Sequence, residues 1–115
     1  MLAALAEASL SRSPAEAEAH ARKAVELEPS RAEAHLALGR VRAEAGDRAA
    51  AETHLRKAHD LAPSEPEVLR RFGLWLLESG DRAEGKKVLA RFLELAPAGP
   101  AADAVRRSLD EHASN

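Results

Sequence analysis

The chain has 115 residues, 45% hydrophobic and 31% charged, with a net charge of −2 and no cysteine. At that length it makes one small domain, withdrawing roughly two thirds of its extended-chain surface from water. The balanced charge and 3% aromatic content exclude the basic, ring-lined stripe that nucleic acid needs, the missing thiols exclude disulfides and thiolate metal sites, and no run reaches the roughly 20 apolar residues of a membrane helix.

Isoleucine and tyrosine are absent, and the β-branched residues are five valines and Thr53, so there is little from which to build strands. Alanine and arginine are abundant, as in a GC-rich bacterial gene. Seven helices follow in chain order. The first, near 2–11, contains Glu7 and no basic leader, which favours the cytoplasm. The chain enters a helix almost at Met1, which is consistent with an excised piece of a larger protein as well as with a chain of its own. The second, 14–28, opens on Ser13-Pro14-Ala15-Glu16, a serine three residues before a glutamate as in a capping box, with proline in the first turn. Ser30-Arg31-Ala32-Glu33 opens the third, 31–45, and Ser64-Glu65-Pro66-Glu67 the fifth, 65–79, on the same pattern. The fourth, 48–61, and sixth, 82–95, follow Gly46-Asp47 and Gly80-Asp81, where a left-handed glycine ends one helix and an aspartate caps the next. The seventh, 100–112, sets Val105 and Leu109 against Arg106, Arg107, Asp110 and Glu111, the single apolar stripe of a terminal capping helix.

The spacing of these elements is strict. Leu27-x-Pro29, Leu61-x-Pro63 and Leu95-x-Pro97 recur every 34 residues. Gly39 aligns with Gly73, Gly46-Asp47-Arg48 with Gly80-Asp81-Arg82, Glu44 with Glu78, and Lys23 with Lys57 and Arg91. Leu38 matches Phe72, Ala17 matches Ala51, Ala21 matches Leu55 and Leu89, and Ala24 matches Ala58. Gly39 and Gly73 fall inside helices, where each costs about 0.8–1 kcal/mol relative to alanine. Their recurrence argues that a neighbouring helix approaches too closely for a side chain. Leu38, Leu55, Leu61, Phe72, Leu89 and Leu95 are expected to fill the seams.

On these columns the chain resembles the tetratricopeptide repeat family, most specifically through Leu38-Gly39, Gly46-Asp47, Ala51, Leu55, Ala58 and Pro63, and again through Phe72-Gly73, Gly80-Asp81, Leu89 and Pro97. The resemblance implies an all-α, right-handed α-solenoid of antiparallel helix hairpins. It comprises about three repeats, near 1–29, 30–63 and 64–97, plus the capping helix, in one domain. His35 and Arg42 stand where the family favours large apolar residues. Gly85 and Phe92 stand where it favours alanine-like ones, so local repacking is expected there.

In that family the first helix of each repeat lines a concave groove that holds a partner. Carried over by alignment, the contacts are Glu33, Leu36, Arg40, Ala43 and Glu44 from the middle repeat, and Glu67, Arg70, Leu74, Leu77 and Glu78 from the next, with Arg71 beside them. Leucines mixed with arginines suit an acidic peptide or helix with apolar anchors, since arginine grips carboxylates in pairs of bonds. The carboxylate clamp of one family variant is not reproduced. It needs asparagines, of which there is none before Asn115, and Glu67 puts a negative charge where a positive one belongs.

The remaining residues offer little chemistry. Trp75, flanked by Leu74, Leu76 and Leu77, reads as core or inter-repeat packing, with an interface anchor as the alternative. His20 and His54 are repeat equivalents, and His54 and His59 are poorly spaced for one ion, so no metal site is expected. His35 reads as a hydrogen-bonded, partly buried side chain. The acids and serines serve as caps or lie on exposed faces, so no catalytic site and no cofactor are expected. The favoured function is a protein-interaction scaffold or adaptor. The alternatives are a homo-oligomerising structural module and a regulatory domain of a larger protein.

Overall fold

The computed structural model of the chain describes residues 2–9 and 13–113, which form seven helices and no strand. They are α1 (Leu2–Ser9), α2 (Pro14–Leu27), α3 (Ala32–Glu44), α4 (Arg48–Leu61), α5 (Pro66–Ser79), α6 (Arg82–Leu95) and α7 (Pro100–Ala113). From α2 onward every boundary falls within one residue of its expected place. Positions 10 and 11, assigned to the first helix, lie outside the described residues, as do Met1 and Asn115.

The helix ends show which local signals prevail. Ser13 caps α2, its Oγ accepting from Glu16 N at 3.3 Å. Asp47 and Asp81 cap α4 and α6 by accepting from Ala50 N at 3.1 Å and Glu84 N at 3.2 Å. Gly46 and Gly80 take φ of 82° and 110°, which a side chain would strain. Ser30 and Ser64, by contrast, are not caps. The N-cap positions belong to Arg31 and Glu65, neither with a side-chain capping bond to a backbone N–H of the helix. Pro66 supplies the reason at α5. A residue before proline is driven into extended backbone, and Glu65 sits at φ −80°, ψ 116°, so the helix starts one residue later than the serine motif implies. Ser13 succeeds because it directly precedes Pro14.

Packing divides the chain into two compact units, Met1–Pro63 and Ser64–Asn115. In the first unit α1, α2 and α3 pack mutually and α4 packs on α3. Its core is built on small residues, with Ala6, Ala17, Ala21 and Ala37 closing around Leu38 and Val41. In the second unit α5 and α6 form a hairpin and α7 lies against both, burying Ala102 and Val105. That is the capping arrangement expected of the last helix.

Each of the two later hairpins closes over a glycine. A Cβ added at Gly39 would stand 2.8 Å from Leu55 Cγ, and one at Gly73 would stand 2.6 Å from Leu89 Cγ. The bulk missing from Gly85, whose own added Cβ would lie 3.1 Å from the Gly73 carbonyl, returns as the buried ring of Phe92 about two turns further along α6. Leu38, Leu55, Phe72 and Leu89 fill the seams as expected, but Leu61 is half-buried, Leu95 is 40% exposed and Leu27 is 62% exposed. These three occupy the final turns of second helices. Counting antiparallel from the Gly39–Leu55 and Gly73–Leu89 contacts places Leu61 and Leu95 opposite the first turns of α3 and α5, too near the hairpin ends to be enclosed. Among the described residues no helix is long and apolar enough to cross a membrane.

Candidate partner-binding faces on α3 and α5

The residues assigned to partner contact lie on α3 in the first unit and α5 in the second. On α3, Glu33 and Glu44 are exposed and Arg40 and Ala43 are half-buried. Glu33 accepts from Arg31 Nε at 2.7 Å, and Arg31 also reaches Glu28 at 2.9 Å. Leu36 is 4% exposed. It is a core residue, because α3 is contacted by α1, α2 and α4.

On α5 the polar residues assemble around one carboxylate. Arg70 donates to Glu67 through both Nε and Nη2, at 2.9 and 2.8 Å, and Arg71 Nε donates to the same group at 2.9 Å. Spacings of three and four residues bring both guanidiniums over Glu67 on one helical face. Burial alone would push the Glu67 carboxyl up, but the bonds and charges of Arg70 and Arg71 outweigh it and hold the group below the usual glutamate range. Arg70, expected to grip a partner's carboxylate, therefore already holds one together with Arg71. Glu78 is exposed and Leu74 is half-buried, whereas Leu77, at 2% exposure, belongs to the core. Trp75 is half-buried rather than central, the core places on this helix going to Val68, Leu69, Phe72, Leu76 and Leu77.

Two arrangements escape a residue-by-residue reading. Arg42 of α3 reaches Glu18 of α2 at 3.3 Å, and Glu18 is also paired with Arg22 at 3.2 Å. This bridge borders an open cavity of about 500 Å³ between the start of α2 and the end of α3, lined by Pro14, Ala17, Val41, Ala45 and the predicted contact Glu44. The second is a histidine pair. His54 stacks on His35, not on its repeat equivalent His20, with ring centroids 5.5 Å apart and planes at 22°. The only sequence signal for either was a polar residue in an apolar column. Its partner on the neighbouring helix has no signal at all.

Residues 32–75, spanning α3, α4 and most of α5, match the tetratricopeptide repeat family. The tetratricopeptide repeat is a protein-interaction module, and repeats of this kind act in general as non-catalytic scaffolds for protein partners. A solved structure of a mutant O-GlcNAc transferase from Thermobaculum terrenum is similar to the chain at a TM-score of 0.81 and 28% identity. The likeness covers 94% of this chain and 21% of that one, so the chain spans about a fifth of the enzyme's length. It assigns the seven helices to the all-α helical-repeat solenoid class. No curated protein matches the sequence significantly.

Proposed function

We propose that the chain is a scaffold or adaptor that holds a peptide or helix of a protein partner on the free faces of α3 and α5. The observation that carries this reading is the family match over 32–75, which contains both helices except the last turn of α5. The contacts are polar at Glu33, Arg40, Glu44, Glu67, Arg70, Arg71 and Glu78, with the half-buried Leu74 as the apolar anchor on α5. An acidic partner with apolar anchors suits this set. Its carboxylate competes with Glu67 for Arg70 and Arg71, exchanging one charge-assisted pair for another, so selectivity rests on apolar fit as much as on charge.

Selection of acidic amphipathic peptides against the wild-type chain, followed by fluorescence titration with Arg40→Glu plus Arg70→Glu, tests the reading. Binding that weakens at least tenfold supports it, and unchanged affinity refutes it. Two alternatives have observations of their own. Likeness to 21% of a transferase favours a recruiting or regulatory segment of a longer enzyme, whose catalytic groups lie elsewhere. Exposed Leu5, Leu27 and Leu95 favour homo-oligomerisation, which a concentration series of solution mass reveals as a rise above 12.3 kDa.

A further inference from the structure

We propose that His35 and His54 form an acid-sensitive lock on the α3–α4 hairpin, a pair that accepts one proton while locked and opens when a second arrives.

The bond pattern dictates the limit. His35 is 7% exposed, and its Nε2 lies 2.8 Å from the Pro29 carbonyl. A carbonyl oxygen only accepts, so Nε2 carries the hydrogen and the Nδ1 of the neutral ring is bare. That bare nitrogen faces His54 Nδ1 at 3.3 Å, which must therefore donate. One tautomer of each ring completes the chain from α4 through α3 to the carbonyl at the end of α2.

A first proton can be added at His54 Nε2 without breaking this chain. A charge on His54 meets a partly buried site, the charge of a protonated His35 and the cationic Arg42 of α3, and in that order these hold His54 below the ordinary histidine value, so the two rings resist being charged together. Arg42 is itself tied to Glu18 at 3.3 Å and lies 3.8 Å from Asp47. The turn's other charges, Glu28, Arg31 and Glu33, are paired among themselves. A second proton has one place to go, the nitrogen left bare between the two rings. There it sets two N–H groups head to head between stacked cationic rings, and the bond across the hairpin is lost. The two titrations are thus properties of the pair.

In the unfolded chain nothing limits either ring, and both take up protons as the pH falls through about 6.5. Above that pH neither state gains a proton and the lock contributes fully. Below it the unfolded state binds more protons than the folded one, so stability falls. The window lies above the range in which Glu67, held below its usual value, titrates.

Urea unfolding of the full chain, followed by far-ultraviolet circular dichroism at pH 7.5, 6.5 and 5.5, reads the effect. One extra proton bound on unfolding raises the unfolding constant about tenfold per pH unit, and this is expected of wild type between pH 6.5 and 5.5. In His54→Gln the amide can either donate or accept, so the rise should fall below about threefold, by the same relation with under half a proton bound. His20→Gln, one repeat earlier in the same column, should keep the wild-type slope. A flat wild-type profile, or a His54→Gln profile as steep as wild type, overturns the proposal. Should His54→Gln not fold, nitrogen-15 spectra of the wild-type imidazoles decide. The His35 Nε2–H tautomer at pH 7.5 supports the lock, and the Nδ1–H tautomer there, or two protonated rings in the folded chain at pH 6, overturns it.

Discussion

Gly39→Ala sets two opposing effects of one methyl group against each other, and their magnitudes predict the sign. Alanine is the better helix former by about 0.8–1 kcal/mol, so propensity alone raises stability. The new Cβ, however, would sit 2.8 Å from Leu55 Cγ, 2.9 Å from Cδ2 and 3.2 Å from the Leu55 backbone nitrogen, well inside the roughly 3.5–4.0 Å of a comfortable carbon contact. Leu55 is fully buried, and its Cγ is not a free end that can swing aside. The backbone nitrogen cannot move without α4. Overpacking of this kind costs about 1–3 kcal/mol, which leaves a net loss near 1 kcal/mol and a melting temperature lower by about 4–8 °C in a domain of this size. Thermal melts by circular dichroism read it directly. Gly73→Ala should lose more, since its Cβ would meet Leu89 Cγ and Cδ2 at 2.6 Å. In a Leu55→Ala background the methyl has room, and Gly39→Ala should then stabilise. A melt of Gly39→Ala that is unchanged or raised refutes the close approach as the reason for the glycine.

Two further outcomes follow from the helix ends and from α5. Asp47→Ala should destabilise by about 1 kcal/mol through loss of the α4 cap, whereas Ser64→Ala, which removes no cap, should melt within a degree of wild type. Reversal of that order would reject the cap assignments. The folded carboxyl of Glu67 lies below its usual value, so its contribution is present above the unfolded value of about 4.5 and is lost as pH falls through the folded one. Glu67→Gln should remove part of the acid dependence in that window and cost about 0.2–1 kcal/mol between pH 6 and 8, the worth of a partly exposed ion pair. Equal acid profiles for the two proteins would contradict the Arg70–Glu67–Arg71 grip.

The amino-acid order by itself determined what depends on neighbours within a few positions. Asp47 and Asp81 cap, Gly46 and Gly80 turn left-handed, and Pro14 and Pro66 start helices, because each effect acts along the chain over one turn or less. Gly39 and Gly73 were legible for a different reason. A costly residue repeated every 34 positions points to a packing cause even before the partner is known. Ser30 and Ser64 were misread although the deciding signal at the second, Pro66, stood two residues away.

Tertiary structure alone decided which way each helix is turned. Helical periodicity says that Leu36 and Arg40 share a side of α3, but not where along that side the neighbouring helices make contact. The angular position of the contacts put Leu36 and Leu77 into the core and left Leu74 half-exposed. Pairings across helices lie equally beyond the local code. His35 with His54, and Arg42 with Glu18, are brought together by how two helices cross, and that depends on the summed packing of every residue between them.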